Sequence, residues 1–482
     1  MKKLLLTLIT CLTISLVFAQ EFKTEYSTSF KKGDEKEIYK IVFPSAYGFM
    51  TLHHLDNVMM DNTKAMVLTK YDQSMQAIES KTFSLPKLDL RASDLQEVIE
   101  LENQLVFIST VMHKKLAKHQ VNSQVYSEKE NAVSENKVLA SFPIEGYSKS
   151  GFYQIAVSPD QTKIAIVANM PFVKKTKEKV NVWVYDNQLN LLWEQSETLI
   201  YASDRSYQEN AFVKNSGEVV LNKTIDAFKK TRKSELLTFN GTTVETQNFS
   251  SAGFLPMEMK LIDVNGQPML TGFFWNGKNS VIKINSKEGE YNDGAFLFDL
   301  NNNLLLGIHE WSNDIDAKDL KSLQVVDVKV SGDAIFMLGE KYLEDSEFRK
   351  NGNTVTTDLD YFYTYGSSVV VNFDSKGTLK GFTPLFNSKK YKNTEKEKGS
   401  VSAVLLENGL NVFSNNNSHI SFDTFFSNPN STIEKPNLAI PENGSSFLPN
   451  VLPKTVRSVK DYGMIYYIAN YGDRYYFGKM TW

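Results

Sequence analysis

The sequence predicts an all-β chain assembled from one repeated unit, and three observations carry that prediction. Aromatic residues make up 12% of the 482 residues, and much of the Tyr and Phe sits in short segments where apolar and polar residues alternate. A period of two is the mark of a strand. Helical periodicity is nearly absent; the one tempting piece, residues 92–101, reads as well as the approach to a strand. The third observation is repetition, because strand, short polar turn and second strand recur along the whole chain.

The best-kept copy is "IAVSPDQTKIAIVAN" at residues 155–169, two β-rich runs hinged on Pro159-Asp160. Pro presets φ for the first turn position and Asp can bond the backbone beyond it, so this turn is encoded locally. Before it come "FPSAYGFMTLH" from Phe43 and "VIELENQLVFIST" from Val98. After it come "FVKNSGEVVLN" from Phe212, "LIDVNGQPMLTG" from Leu261, "KVSGDAIFMLG" from Lys329, "LLENGLNVFSN" from Leu405 and "SVKDYGMIYYIAN" from Ser458. The turns centre near residues 47, 103, 160, 216, 265, 332, 408 and 462.

A second hairpin follows, written as Tyr or Phe, a polar residue, a turn and an apolar residue. It occurs at Asp72, Ser127, Asp186, Asn240, Asp299, Asp374 and, with a weaker pattern, Asp423. In the first four units it trails the first turn by 24 to 26 residues. Each unit is therefore expected to hold four antiparallel strands, and repeats of that size and content are β-propeller blades. The eighth unit supplies three strands, near Val456–Val459, Met464–Ala469 and Tyr475–Thr481, before the sequence ends. Its fourth is expected from Glu21–Phe30, since an unclosed ring leaves two exposed sheet edges. The expected fold is an eight-bladed propeller closed by the N-terminal strand. Seven blades result if the short unit around Asn408 merges with its neighbour.

The segment "AVSPDQTKIAIVAN" resembles the TolB-like propeller repeat, whose hallmark is an apolar strand, Ser-Pro-Asp-Gly and a second apolar strand. Ser158, Pro159 and Asp160 match, and Gln161 stands where the repeat has glycine. One blade carries the motif, about a tenth of the chain. The whole chain also resembles uncharacterised exported propeller proteins of gram-negative bacteria. The resemblance implies the fold and brings no activity with it.

The opening "MKKLLLTLITCLTISLVFAQ" reads as a secretory signal peptide over residues 1–19. Lys2 and Lys3 give the positive start, Leu4–Phe18 the apolar run and Ala19 the small residue for cleavage. The expected organisation is that leader followed by a single propeller domain over residues 20–482, periplasmic or secreted and monomeric. Cys11 is the only cysteine, and Thr10 precedes it where a lipoprotein signal wants Gly, Ala or Ser; neither a lipid anchor nor a disulfide is expected. No later apolar run reaches the roughly 18 residues of a membrane helix. The 53 basic and 56 acidic residues give a formal net charge of −3, which argues against nucleic acid as the partner.

No motif for catalysis stands out. The six histidines, His53, His54, His113, His119, His309 and His419, lack the spacing of a metal-binding helix. Adjacent His53 and His54 point to opposite faces of a strand. These histidines are expected at the surface or with ordinary partners. There is no Gly-x-Ser-x-Gly elbow, no calcium loop and no glycine-rich phosphate cradle. No metal and no cofactor are expected.

Two clusters remain. The insertion "EKYLEDSEFRKNGNTVTTDLDYFYTYG" in the sixth unit sets Glu344, Asp345, Glu347, Asp358 and Asp360 beside Tyr361, Phe362, Tyr363 and Tyr365. Acid beside aromatic is what sugar-processing sites use, one for proton transfer and the other for stacking. The plainer expectation is a solvated loop whose aromatics begin the next strand. The second cluster lies in the loops joining second to third strands, "HKKLAKHQ", "PFVKKTKEKV" and "DAFKKTRKSE" in units two, three and four. They carry Lys114, Lys115, Lys118, Lys174, Lys175, Lys177, Lys179, Lys229, Lys230, Arg232 and Lys233, opposed by Asp226, Glu178 and Glu235. In a propeller these loops share one face. The sequence points to a non-enzymatic binding or scaffold module whose basic face meets an anionic polymer, a lipid head group or an acidic protein surface. The alternative is a carbohydrate-active hydrolase or lyase, with Glu344, Asp358, Asp360, Tyr361 and Tyr363 over the channel.

Overall fold

The computed structural model describes residues 22–31, 37–58, 63–101, 104–146, 150–171, 173, 176–202, 206–225, 233–249, 254–276, 292–311, 323–351, 354–385, 389–392, 399–406, 409–416, 419–426, 436–442 and 445–482. The segment expected as a signal peptide, with Cys11, lies outside them. So do Lys174, Lys175, Lys229, Lys230 and Arg232 of the basic loops.

The described chain is nearly all strand, and its antiparallel sheets follow one another along the sequence. Sheet one holds Glu37–Ser45, Gly48–Val58, Thr63–Asp72 and Ala77–Ser84. Sheet two holds Asp94–Leu101, Gln104–His113 and Lys118–Ser127, with Ala132–Val133 and Lys137–Pro143 both against the third strand. Sheet three holds Phe152–Val157, Lys163–Asn169, Lys177–Asp186 and Leu191–Ala202. Sheet four holds Ser206–Val213, Val219–Ile225, Lys233–Phe239 and Val244–Asn248. Sheet five holds Leu255–Val264, Gln267–Trp275, Gly294–Asp299 and Leu304–Glu310.

Sheet six holds Leu323–Ser331, Ala334–Asn351, Thr354–Asp374 and Leu379–Leu385, with Lys389–Lys392 added to the third strand. Sheet seven has three described strands, Val401–Leu406, Gly409–Asn416 and His419–Phe426. In sheet eight, Arg457–Val459 pairs with Met464–Tyr471, which pairs with Arg474–Thr481. The outer place is taken by Lys23–Tyr26, in register from Lys23 opposite Thr481 to Tyr26 opposite Gly478, and by Phe30–Lys31.

The tight turns between first and second strands fall where the sequence puts them, at residues 46–47, 159–160, 265–266 and 332–333 among others. Those at residues 102–103 and 407–408 lie outside the described residues, but the strands flanking them pair. The second hairpin has a common cause as well. The Asp186 carboxylate accepts the N–H groups of Gln188 and Asn190, at 2.9 and 2.8 Å. Asp374 does the same for Lys376 and Thr378, and Asp72 for Gln76. A short acid that caps its own turn fixes the hairpin with no help from distant contacts. Asp423 departs from this pattern, because it lies inside strand His419–Phe426, opposite Val412, and closes no hairpin.

Middle strands are buried on both faces; Val219–Asn222 and Gly294–Asp299 are buried throughout. The reason is that each sheet packs on the one before and the one after. Val42 and Leu52 of sheet one meet Val98 and Phe107 of sheet two. Ile108 and Val121 meet Ile164 and Ile166 of sheet three. Val167 and Val182 meet Val219 and Leu221 of sheet four, and Phe212 and Val220 meet Leu270 and Phe296 of sheet five. Phe273 and Leu297 meet Ile335 and Val371 of sheet six, whose Phe336 and Val370 meet Leu410 and Val412 of sheet seven. Phe413 and Phe422 meet Ile465 and Tyr467 of sheet eight. On its other side, sheet eight packs Tyr466, Ile468 and Phe477 on Ile41 and Phe49 of sheet one. Among the described residues no helix is long and apolar enough to cross a membrane.

Candidate functional site

The loops joining second to third strands lie at one end of their sheets, opposite the tight turns, because successive strands are antiparallel. Of the eleven basic residues, Lys114, Lys115, Lys118, Lys177, Lys179 and Lys233 are described, and all six are exposed. Lys114 and Lys115 stand in the turn of sheet two, Lys118, Lys177 and Lys233 open third strands, and Lys179 follows on that of sheet three.

Of the three acids expected to oppose them, Asp226 lies outside the described residues, and Glu178 and Glu235 are engaged elsewhere. Glu178 is 4% exposed and sits 2.5 Å from the ammonium of Lys223, which is fully buried in sheet four. Asn169 also donates to Glu178, at 3.0 Å. Glu235 accepts the hydroxyl of Tyr201 from sheet three. The alternation of the strand explains the first case: Lys177 and Lys179 point outward, so Glu178 between them points into the seam between sheets three and four. No local motif announces this pairing. Lys223 reads as one more surface lysine, although its place in the apolar run "EVVLNKTI" is the available signal.

The unit-six insertion is a strand pair rather than a loop, which corrects the plainer expectation. Ala334–Asn351 and Thr354–Asp374 continue beyond the sheet as a ribbon, with Glu344 opposite Tyr363, Ser346 opposite Tyr361 and Glu347 opposite Asp360. That register puts Glu344, Tyr361, Tyr363 and Tyr365 on one face, and Asp345, Asp360 and Phe362 on the other. Glu344 and Asp360 therefore do not converge on one bond. Asp360 is buried and paired with Lys392 at 2.7 Å, while Lys390 stands 4.2 Å over the ring of Phe362. Glu344 accepts the hydroxyl of Tyr342 at 2.8 Å. The side chain of Asp358 lies outside the described residues.

Three of the histidines, expected at the surface or with ordinary partners, take the second course. His53, His113 and His119 are buried. His53 Nε2 is 2.6 Å from Thr51 Oγ1, His113 Nδ1 accepts the Leu116 N–H, and His119 Nδ1 lies 3.3 Å from the Ser150 carbonyl. Burial lowers the pKa of His119, against the opposing effect of that carbonyl. Among the described residues no group of three or more His, Cys, Asp or Glu is placed to hold a metal ion.

Two further sites have no signature in the sequence. At the base of the ribbon the Glu340 carboxyl is buried beside Ser400 and Val401, and burial raises its pKa to about 7. Lys389 donates to the Asn415 carbonyl nearby, its own pKa lowered by burial to about 8. The other site is a cavity of about 480 Å³ where first strands of several sheets come together, with Arg457 and Glu100 in its wall. These residues lie far apart in sequence and carry no local motif.

No protein family matches the chain, and no curated protein matches it. Among solved structures, the β-propeller domain of the Trilobed protease from Pyrococcus furiosus aligns with a TM-score of 0.36 at 10% identity, over 76% of this chain and 98% of that one. The Pyrococcus horikoshii acylaminoacyl peptidase aligns with a TM-score of 0.35 at 11% identity, over 79% of this chain and 57% of that one. A Synechocystis apocarotenoid oxygenase variant aligns with a TM-score of 0.34 at 10% identity, over 73% and 74%. Scores this low leave the fold to be read from the chain's own strands.

Proposed function

We propose that this chain is an eight-bladed, TolB-like β-propeller closed by its N-terminal strand, exported from the cell, and that it binds an anionic partner through the basic face of blades two to four. The succession of inter-sheet cores, ending with the eighth sheet on the first, supports the ring. The observation that carries the binding reading is the buried Lys223–Glu178 pair. It removes from solvent an acid flanked by Lys177 and Lys179, leaving those lysines and Lys233 without a local counter-charge from Glu178. Packed sheets lie about 10 Å apart. That is close to the Debye length of about 8 Å at physiological salt, so the fields of neighbouring loops overlap. The partner this face suits is an anionic polymer, a lipid head group or an acidic protein surface; the reading needs no enzymatic step.

Single exposed lysines contribute at most about 1 kcal/mol each, so the test reverses several together. Lys114, Lys115, Lys177 and Lys233 changed jointly to Glu should abolish retention on heparin or phosphate matrices, with an unchanged melting temperature. Retention of the parent should weaken steeply with salt. A reversed protein retained as strongly as the parent sinks the reading.

A further inference from the structure

The cavity of about 480 Å³ opens among the first strands of sheets one, two, six, seven and eight, with Gln161 reaching it from the first turn of sheet three. Its size falls within the range of about 300–1,000 Å³ typical of small-molecule sites. It lies toward the tight-turn end of the sheets, away from the basic loops, and its walls are cross-braced. Arg457 donates from Nε to the Ile41 carbonyl at 3.0 Å, and its guanidinium pairs with Glu100. The other oxygen of Glu100 accepts the Phe43 N–H at 2.9 Å. One arginine thus ties sheets eight, one and two. These two bonds leave further N–H donors among the five of the guanidinium. Its side chain stays 29% exposed and that of Glu100 21%, so the pair is rigid yet accessible.

Two of the ten non-glycine residues with positive φ among those described stand in the same wall, Gln161 because its turn requires that angle. Phe43 has φ +48° and Gln161 φ +59°, and both line the cavity. Phe43 is the costlier of the two, being bulky and followed by Pro44, which disfavours helical backbone angles in the residue before it. Such residues cost about 1–3 kcal/mol each and gather at ligand clamps, where the surroundings hold them. Here the Glu100 carboxylate holds Phe43 through its N–H.

The charges in the wall select the ligand. Arg457 and Lys329 face Glu100 and Glu128, a formal sum of zero. Lys329 is 3.0 Å from Asp327, and Glu128 is 3.9 Å from Lys70. An anion would meet the two carboxylates and a cation the two bases, so neither gains a net field. A hydroxyl both donates and accepts, and charge-assisted bonds to guanidinium and carboxylate are stronger than neutral ones. Pro44 and Val456 add an apolar patch for the C–H face of a ring. We infer that the cavity is a binding site for a neutral polyhydroxylated ligand, the size of a mono- or disaccharide. This site is independent of the basic face.

The test is titration calorimetry and saturation-transfer NMR with glucose, galactose, N-acetylglucosamine and maltose, using acetate and methylammonium as anionic and cationic comparators. At least one sugar should bind saturably, and the comparators should not. Ser458→Trp fills the cavity from an exposed position and should weaken sugar binding by at least about tenfold, equivalent to about 1.4 kcal/mol. Its melting temperature and its retention on anionic matrices should not change. Arg457→Lys removes the planar fork and should weaken binding by a similar factor. Because Arg457 ties three sheets, the Ser458 variant decides the matter if Arg457→Lys fails to fold. Absence of saturable binding by any of these sugars, comparators that bind as tightly, or sugar binding that survives Ser458→Trp would each overturn the inference.

Discussion

Asp160 and Gln161 show at single residues what a turn requires. Asp160 accepts the Ser158 hydroxyl at 2.6 Å and the Thr162 N–H at 3.0 Å, and gives its own N–H to Asn215 of sheet four. Burial pushes its carboxyl up, but the bonds from Ser158 and Thr162 and the charge of Lys163 outweigh this and leave its pKa lowered. Gln161 takes the left-handed angle that a glycine would occupy at no steric cost. Glu340 is the opposite case. Burial lifts its carboxyl from 4.5 to about 7, against the pull of Ser400, Lys454 and the Val401 N–H. Between those values the folded state keeps a proton that the unfolded chain has released. Stability should therefore fall as pH rises from about 4.5 to about 7. Glu340→Gln should remove that slope and stabilise the protein above neutral pH by on the order of 3 kcal/mol, the scale of such a shift. Urea unfolding across the pH range checks this, and a slope of unchanged size in the variant would refute it.

At the scale of elements, the seam between sheets three and four combines an apolar core with one buried charge pair. Val180, Val182, Leu221 and Leu237 are fully or almost fully buried around Lys223 and Glu178. Two charges taken out of water gain little net stability from each other, whereas removing one leaves the other uncompensated. Lys223→Met alone should therefore cost about 3–5 kcal/mol. Lys223→Met with Glu178→Leu should recover most of that loss. If the double variant is no more stable than the single one, an uncompensated Glu178 charge is not what destabilises the single variant. Lys177 and Lys179 keep their exposure in both variants, so thermal unfolding and matrix retention report separately on seam and surface.

For the whole molecule, the N-terminal strand is one of the contacts that join sequence-distant parts, beside the packing of sheet eight on sheet one. Phe22 meets Phe422 of sheet seven and Trp482 at centroid distances of 5.5 and 6.1 Å. The Tyr26 hydroxyl donates to the Leu438 carbonyl and accepts from Tyr467, and Phe30 stacks on Phe477. This short segment therefore covers the outer edge of Arg474–Thr481 and joins it to sheet seven. A chain beginning after Lys31 should expose that edge, melt at lower temperature and self-associate, because an unpaired strand is a template for pairing with another chain. Light scattering and thermal unfolding of the shortened protein test this. A monodisperse product with the parent's melting temperature would show that the strand is dispensable.

Local chemistry made the strands and turns legible in the sequence. Period-two alternation sets the strands, and Asp186 or Asp374 caps its hairpin within five residues, so no distant contact is needed to find them. The pairing of the N-terminal segment with the last strand was also foreseeable, from a unit one strand short. What the sequence could not determine is which polar side chains enter the interior. Glu178 differs from Lys177 and Lys179 only by strand parity, and that parity acquires meaning only once sheet four supplies Lys223 on the same side. Arg457 and Glu100 form a cavity wall because the first strands of three sheets meet there. Glu344 and Asp360 part because the segment expected as a loop is a paired ribbon. Strands are fixed by short-range periodicity and turn geometry, whereas sites are made by side chains from separate sheets, and their convergence is decided by packing alone.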